Sequence, residues 1–120
     1  MSSDATTATT RQDIGLGALT STVVQCTDLE QALPFYTEKL GLERQAGGEG
    51  WAFLDGGSGS LVLVQASKAE VVMAFTGGDL QTSRAAMAER GAEPTEIEAH
   101  PGGEHYFVVD PEGNRVMIGT

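Results

Sequence analysis

The strongest constraint on this chain is that it is written twice. Gly47-Gly48-Glu49 lies over Gly102-Gly103-Glu104 at an offset of 55, and the match continues downstream. Trp51-Ala52-Phe53-Leu54-Asp55 falls on Tyr106-Phe107-Val108-Val109-Asp110. The turn Gly56-Gly57-Ser58-Gly59 falls on Pro111-Glu112-Gly113-Asn114, and Leu61-Val62-Leu63 on Val116-Met117-Ile118. Each copy therefore reads as strand, tight glycine-rich turn, strand, which is an antiparallel hairpin. Upstream the offset shortens to 51, with 21–26 over 72–77 and Asp28-Leu29 over Asp79-Leu80. A repeat of this length decides the architecture before local propensity does.

In each copy a β-branched strand runs into an aspartate, and a helix follows it. Asp28 suits an N-cap, with Gln31 completing a capping-box pattern. Leu29, Ala32, Leu33, Tyr36 and Leu40 recur at helical spacing until Gly41 stops the helix. Pro34 has no amide hydrogen and is expected to bend this helix or weaken its first turns. In the second copy Asp79 caps, Leu80, Ser83, Met87 and Arg90 mark one face, and Gly91 ends the helix. A short strand follows each helix, near 43–46 and 93–99. The expected fold class is α+β: two βαβββ modules, about 17–66 and 69–120, forming a curved mixed β-sheet cleft with the helices outside. Together they make one domain over 14–120.

Charge and composition narrow the functions. Seventeen acidic against 7 basic residues give a formal charge of −10, which repels nucleic-acid phosphates and anionic lipid. Nucleic-acid and membrane partners are set aside, and a charged ligand, if any, is expected to be cationic. No apolar run approaches the roughly 20 residues of a membrane helix. Residues 1–13, rich in Ser, Thr and Ala, read as a disordered tail and not as a secretory signal. The lone Cys26 cannot form an internal disulfide, which fits a cytoplasmic location.

Three motifs carry a family resemblance: Asp28-Leu29-x5-Phe35-Tyr36-x3-Leu40-Gly41-Leu42, then Asp79-Leu80 with Arg90-Gly91-Ala92, then Asp110-Pro111-Glu112-Gly113-Asn114. In order and spacing they resemble the vicinal oxygen chelate superfamily, which includes glyoxalase I, extradiol dioxygenases, fosfomycin resistance enzymes and bleomycin resistance proteins. Asp110 itself reads as a turn former, with Pro111 pre-setting φ and Gly113 and Asn114 tolerating positive φ.

In metal-dependent members one ligand comes from the first strand of each module and one from its last. Carried over, the resemblance places these at Ser21 and Val72, and at Val62 and Met117. Valine has no donor atom, a thioether is a poor ligand for hard or borderline ions, and a lone serine hydroxyl is weak. No metal and no cofactor are expected, and glyoxalase, dioxygenase and fosfomycin-modifying activities lose their support.

Strand alternation extends the cleft lining from these four positions. It adds Gln25 and Ala74 from the first strands, Leu54 from the first hairpin, and His105, Phe107 and Arg115 from the second. Trp51 alternates to the helix side in this register, yet it adjoins the glycine-rich 47–50 loop, and a slip would turn it to the ligand. The candidate ligand-binding set is thus Ser21, Gln25, Trp51, Leu54, Val62, Val72, Ala74, His105, Phe107, Arg115 and Met117, with no catalytic residue proposed. A few polar groups in an apolar lining suit a small organic molecule, aromatic or cationic. The resemblance implies a metal-independent binding protein of the bleomycin resistance type, a homodimer that sequesters an antibiotic or other aromatic natural product. The alternative is a diverged enzyme, a lyase, isomerase or cyclase, using His105 or a metal at unexpected positions.

Overall fold

The computed structural model describes residues 10–120. Most of the expected tail lies outside the described residues; within it, Asp13 N–H donates to Thr10 O at 3.1 Å and closes a turn. The chain forms two compact units, Thr20–Ala74 and a second made of Phe75–Thr120 with the segment up to Leu19. The fold class is α+β, with a βαβββ order in each half.

The Thr20–Ala74 unit contains most of β1 (Ala18–Cys26), then α1 (Leu29–Pro34), β2 (Arg44–Gly48), β3 (Trp51–Asp55), β4 (Ser60–Gln65) and most of β5 (Glu70–Thr76). Its strand order is β2-β3-β4-β1, with β5 beside β1. β1 and β4 run parallel, while β2, β3 and β4 form an antiparallel meander. Asp28 caps α1 by accepting from Gln31 N–H at 3.2 Å. Gln65 adds a second clamp: its Oε1 accepts from Leu29 N–H at 2.9 Å and its Nε2 donates to Thr27 O at 2.6 Å. The disturbance at Pro34 falls after it, not before. The helix continues as a wider π-helical turn (Phe35–Lys39), closed by Leu40 N–H to Phe35 O at 3.1 Å. Cys26, Ala52, Leu54 and Leu63 form the core on the α1 side, packed by Leu29, Leu33 and Tyr36. Burial pushes the Cys26 thiol pKa up, so this residue is a small buried hydrophobe.

The second unit contains α2 (Leu80–Glu89), β6 (Glu98–His100), β7 (Gly103–Val109) and β8 (Arg115–Gly119), in the order β8-β7-β6. Asp79 caps α2 by accepting from Thr82 N–H at 2.9 Å. Leu80, Tyr106 and Ile118 form the core against α2, joined by Met87, Val108 and Val116. Tyr106 and Ser83 are both fully buried, and their hydroxyls satisfy each other: Tyr106 donates to Ser83 Oγ at 2.8 Å and Ser83 donates to Leu80 O at 3.2 Å. Burial pushes the Tyr106 phenol pKa up, so the donor stays neutral.

One register expectation is corrected. Asp55 pairs with Ser60 in the first hairpin and Val109 with Arg115 in the second, so the 110–114 turn is one residue longer than the 56–59 turn. The offset of 55 holds for β4 and β8, where Leu63 and Ile118 are both core. For β3 and β7 it is one residue less: Ala52, not Trp51, is the structural counterpart of Tyr106. Because strand side chains alternate, this reverses the faces assigned to Trp51 and Leu54.

The buried hydroxyl pair makes a testable claim. Ser83→Ala strands the Tyr106 hydroxyl and is expected to cost about 1–3 kcal/mol, whereas Tyr106→Phe leaves Ser83 bonded to Leu80 and costs about 1 kcal/mol. Urea unfolding of both variants and of the double variant is expected to give a double cost below the sum. Strict additivity would show that the two hydroxyls are not partners.

Candidate functional site

The second unit presents a row of side chains on the sheet face away from α2. Tyr106, Val108, Val116 and Ile118 pack toward α2, so His105, Phe107, Arg115 and Met117 project from the other face. Phe107 lies opposite Met117, and His105 opposite Gly119. β6 covers only the start of β7, and beyond it Thr95 takes over as edge partner of Phe107. Phe107 N–H donates to Thr95 Oγ1 at 2.8 Å, and Thr95 N–H donates to Phe107 O at 2.9 Å. Thr95 is held in turn by Arg84, whose Nε donates to Thr95 O at 2.7 Å and whose guanidinium pairs with Glu96 at 3.3 Å.

On this fixed backbone the aromatic groups touch in sequence. The Arg115 guanidinium carbon lies 4.1 Å over the Phe107 ring centre, a cation–π contact. The His105 and Phe107 rings meet edge to face, with centres 5.1 Å apart. His105 is bonded to His100 through their Nδ1 atoms at 2.8 Å. His100 was not among the sequence candidates. Pro101-Gly102, with Gly102 at φ +87°, makes a turn of type II character that sets His100 opposite Gly103 and brings its ring back onto β7.

The His105 pKa is held below the usual histidine value, first by burial and then by the charges of His100 and Arg115, against the pull of Glu98. Asp110 stays outside this row. It accepts from Glu112 and Asn114 N–H at 2.8 and 2.9 Å and from the Asn114 amide at 3.0 Å, and the Asn114 bonds hold its carboxyl below the usual range. It is the turn former that its motif indicates.

The remaining candidates sit in the Thr20–Ala74 unit. Ser21, Gln25 and Val62 lie on the face away from α1, where β1 and β4 pair Val23 with Val62 and Gln25 with Val64. Trp51, opposite Val64, is on that face too, contrary to the expected alternation. Leu54 is a correction: it is 0 % exposed in the α1-side core and is not presented to a ligand on the other face. Phe53, which lies opposite Val62, takes the place expected for it, and the extra residue in the second turn is why sequence alignment missed it. Val72 and Ala74 are buried, alternating with exposed Val71 and Met73.

The four positions that the resemblance assigns to a metal carry side chains that do not fit a divalent ion. Val62 and Val72 have no donor, Met117 offers a thioether beside Phe107, and Ser21 lies next to Ser60 with no imidazole or carboxylate in register. Among the described residues no group of three or more His, Cys, Asp or Glu is placed to hold a metal. No helix among them is long and apolar enough to cross a membrane.

The profile of the glyoxalase-like domain family matches residues 21–118. The chain belongs to that family. No curated protein matches this glyoxalase-like chain. Among solved structures it is similar to a homoprotocatechuate 2,3-dioxygenase from Brevibacterium fuscum in complex with 3,4-dihydroxyphenylacetate, with a TM-score of 0.67 and 22% identity over 87% of this chain and 36% of that one. It is similar to a glyoxalase/bleomycin resistance protein/dioxygenase superfamily member from Vibrio splendidus 12B01, with a TM-score of 0.65 and 14% identity over 82% and 95% of the two chains. It also resembles an NAD-dependent benzaldehyde dehydrogenase from Legionella pneumophila, with a TM-score of 0.71 and 14% identity over 82% and 96%. The glyoxalase-like chain spans about a third of the dioxygenase's length. At these identities the likeness is one of fold alone.

The His105 environment sets a pH dependence in this glyoxalase-like protein. A histidine whose folded pKa is depressed gives stability that is present above its unfolded value, about 6.5, and lost as pH falls through the folded value. Urea-unfolding free energy is therefore expected to decline on acidification below about pH 6.5, and His105→Gln is expected to flatten that limb. An unchanged slope in the variant would contradict the assigned environment.

Proposed function

We propose that this protein is a metal-independent binder of a small aromatic molecule, contacted through the Phe107 face. The observation that carries this reading is the row His105, Phe107 and Arg115, in which an aromatic ring is flanked by two polar groups and held by Thr95. Such a ring, with few polar points around it, suits stacking and one or two orienting hydrogen bonds. Of the two ligand characters the sequence points to, this row supports the aromatic one, since Arg115 opposes a cation at Phe107. The similar dioxygenase holds an aromatic acid, 3,4-dihydroxyphenylacetate, which agrees with that ligand class. The donor-poor positions Ser21, Val62, Val72 and Met117 support the metal-independent part. Sequestration of an antibiotic or related natural product, homodimeric assembly and cytoplasmic location belong to the same proposal and rest on the likeness to bleomycin-resistance-type proteins.

A second reading, a diverged enzyme using His105, is favoured by one observation: the bond from His100 orients a titratable ring beside Phe107. Calorimetry in EDTA against bleomycin, doxorubicin, an anthraquinone monosulfonate and 3,4-dihydroxyphenylacetate separates the two. The binding reading expects at least one of them to bind and be recovered unchanged. Phe107→Ala is expected to weaken it about tenfold or more, about 1.4 kcal/mol, and Cys26→Ala to leave it nearly unchanged. Conversion of the probe, or binding only after a divalent metal is restored, would overturn it.

A further inference from the structure

The contact between His100 and His105 has a geometry that selects what it holds. The ring centres are 5.0 Å apart and the planes are inclined by 32°, with the two Nδ1 atoms at 2.8 Å. Two imidazoles joined this way reach that centre separation only when both nitrogens lie close to the line between the rings. Their in-plane lone-pair directions therefore meet head-on. A metal held between two head-on nitrogens, at about 2.0–2.1 Å from each, would need them roughly 4 Å apart. The gap fits one proton and nothing larger.

That arrangement limits the proton count. One Nδ1 must carry hydrogen and the other must offer a lone pair, whether the pair is neutral or holds one positive charge. A second added proton leaves two N–H groups pointing at each other and no acceptor. The surrounding charges act in both directions: Glu98, on β6 and opposite His105, favours protonation, while Arg115 on β8 and the charge of the partner ring oppose it. The pair also sits at a mechanically defined place. His100 lies at the end of the short β6, against the turn, where its Nε2 is close enough to Gly103 that a Cβ there would approach it to 3.0 Å. Gly103 is followed by Glu104, whose N–H donates to Thr120 Oγ1 and whose carbonyl accepts from Thr120 N–H, each at 3.0 Å. On its other side His105 sets its ring against the Phe107 ring.

We propose that the His100/His105 pair is a proton-operated latch on the β6–β7 hairpin, which holds the Phe107 face in its binding form while it shares at most one added proton and releases it on taking the second. The regulation of binding rests on the aromatic-ligand reading above; the latch does not. As pH falls, the pair titrates in two coupled steps that belong to the pair and not to either ring. The first keeps the N–H···N bond and strengthens it by charge. The second breaks it, frees β6 at its turn and removes the edge contact on Phe107. Ligand affinity is thereby lost on the acidic side of the histidine range.

Ring-nitrogen and ring-carbon NMR of the full chain, titrated between about pH 8 and 5, tests the latch without any ligand. Two separated steps are expected at both histidines, with Gly103 amide and Phe107 ring signals moving at the second. His100→Gln keeps a hydrogen-bonding partner that cannot titrate, so His105 is expected to titrate in one step and the Phe107 signals to stay in place. Independent titrations near the ordinary histidine value, with Phe107 unmoved, would overturn the latch. Calorimetry with the anthraquinone monosulfonate, whose charge is constant over this range, tests the regulation. Its affinity is expected to fall about tenfold across the second step in the native chain and to stay flat in His100→Gln. Equal pH dependence in both would refute the control of binding. If this probe binds at no pH while the NMR steps appear, the aromatic-ligand reading fails for it and the latch stands.

Discussion

Side chains alternate along a strand, so the length of the turn joining β7 to β8 decides which residues face α2 and which face away. The 110–114 turn, pinned by Asp110, sets Val109 opposite Arg115 and thereby sends Tyr106, Val108, Val116 and Ile118 into the core. Burying one large apolar side chain is worth about 1.5–3 kcal/mol, while a single turn hydrogen bond contributes about 1 kcal/mol. A slip of one residue would expose Tyr106 and bury His105, so the core enforces the register that the turn proposes. Everything on the opposite face follows from it: the edge contact of His105 on Phe107, the Arg115 stack, and the reach of His100 across its Pro-Gly turn.

The same alternation divides each strand between a buried face and a face that carries the polar groups. The positions that the family resemblance assigns to metal ligands are Ser21, Val62, Val72 and Met117, side chains that suit strands and packing and make poor donors. The polar groups with distinctive contacts stand elsewhere, at one end of β6 and β7 and on the neighbouring β8. That end of the second unit holds an aromatic ring whose backbone is fixed by Thr95, a guanidinium over the ring and an imidazole pair beside it.

Much of this was legible in the sequence because repetition exposes it. The caps Asp28 and Asp79 and the two matching hairpins follow from laying one half over the other, the turn role of Asp110 from its Pro-Glu-Gly-Asn motif, and the missing donors from the family resemblance. What the overlay could not supply was the difference of one residue between the two turns. Aligning Asp55 with Asp110 absorbs that residue silently, although in the fold Asp55 corresponds to Val109. Trp51 and Leu54 were consequently exchanged between faces, and Phe53 went unnoticed. The burial of Ala52 and Leu54 beside Cys26 is a three-dimensional fact that hydrophobicity cannot announce, since Trp51 and Phe53 are equally apolar. His100 was missed for a different reason. A histidine beside Pro-Gly reads as loop, and only the paired register of β6 and β7 turns it toward His105.

The face assignment is therefore the central physical claim, and a nuclear Overhauser spectrum of the full chain measures it most directly. Contacts are expected from the Trp51 indole to the Val64 methyls, from the Phe107 ring to the Met117 methyl, and from the Tyr106 ring to Leu80 and Ile118. The Leu54 methyls are expected to contact the α1-side cluster around Tyr36. Trp51 contacts to the α1 side chains, together with Leu54 contacts to Val62, would contradict it and restore the uniform overlay of the two halves.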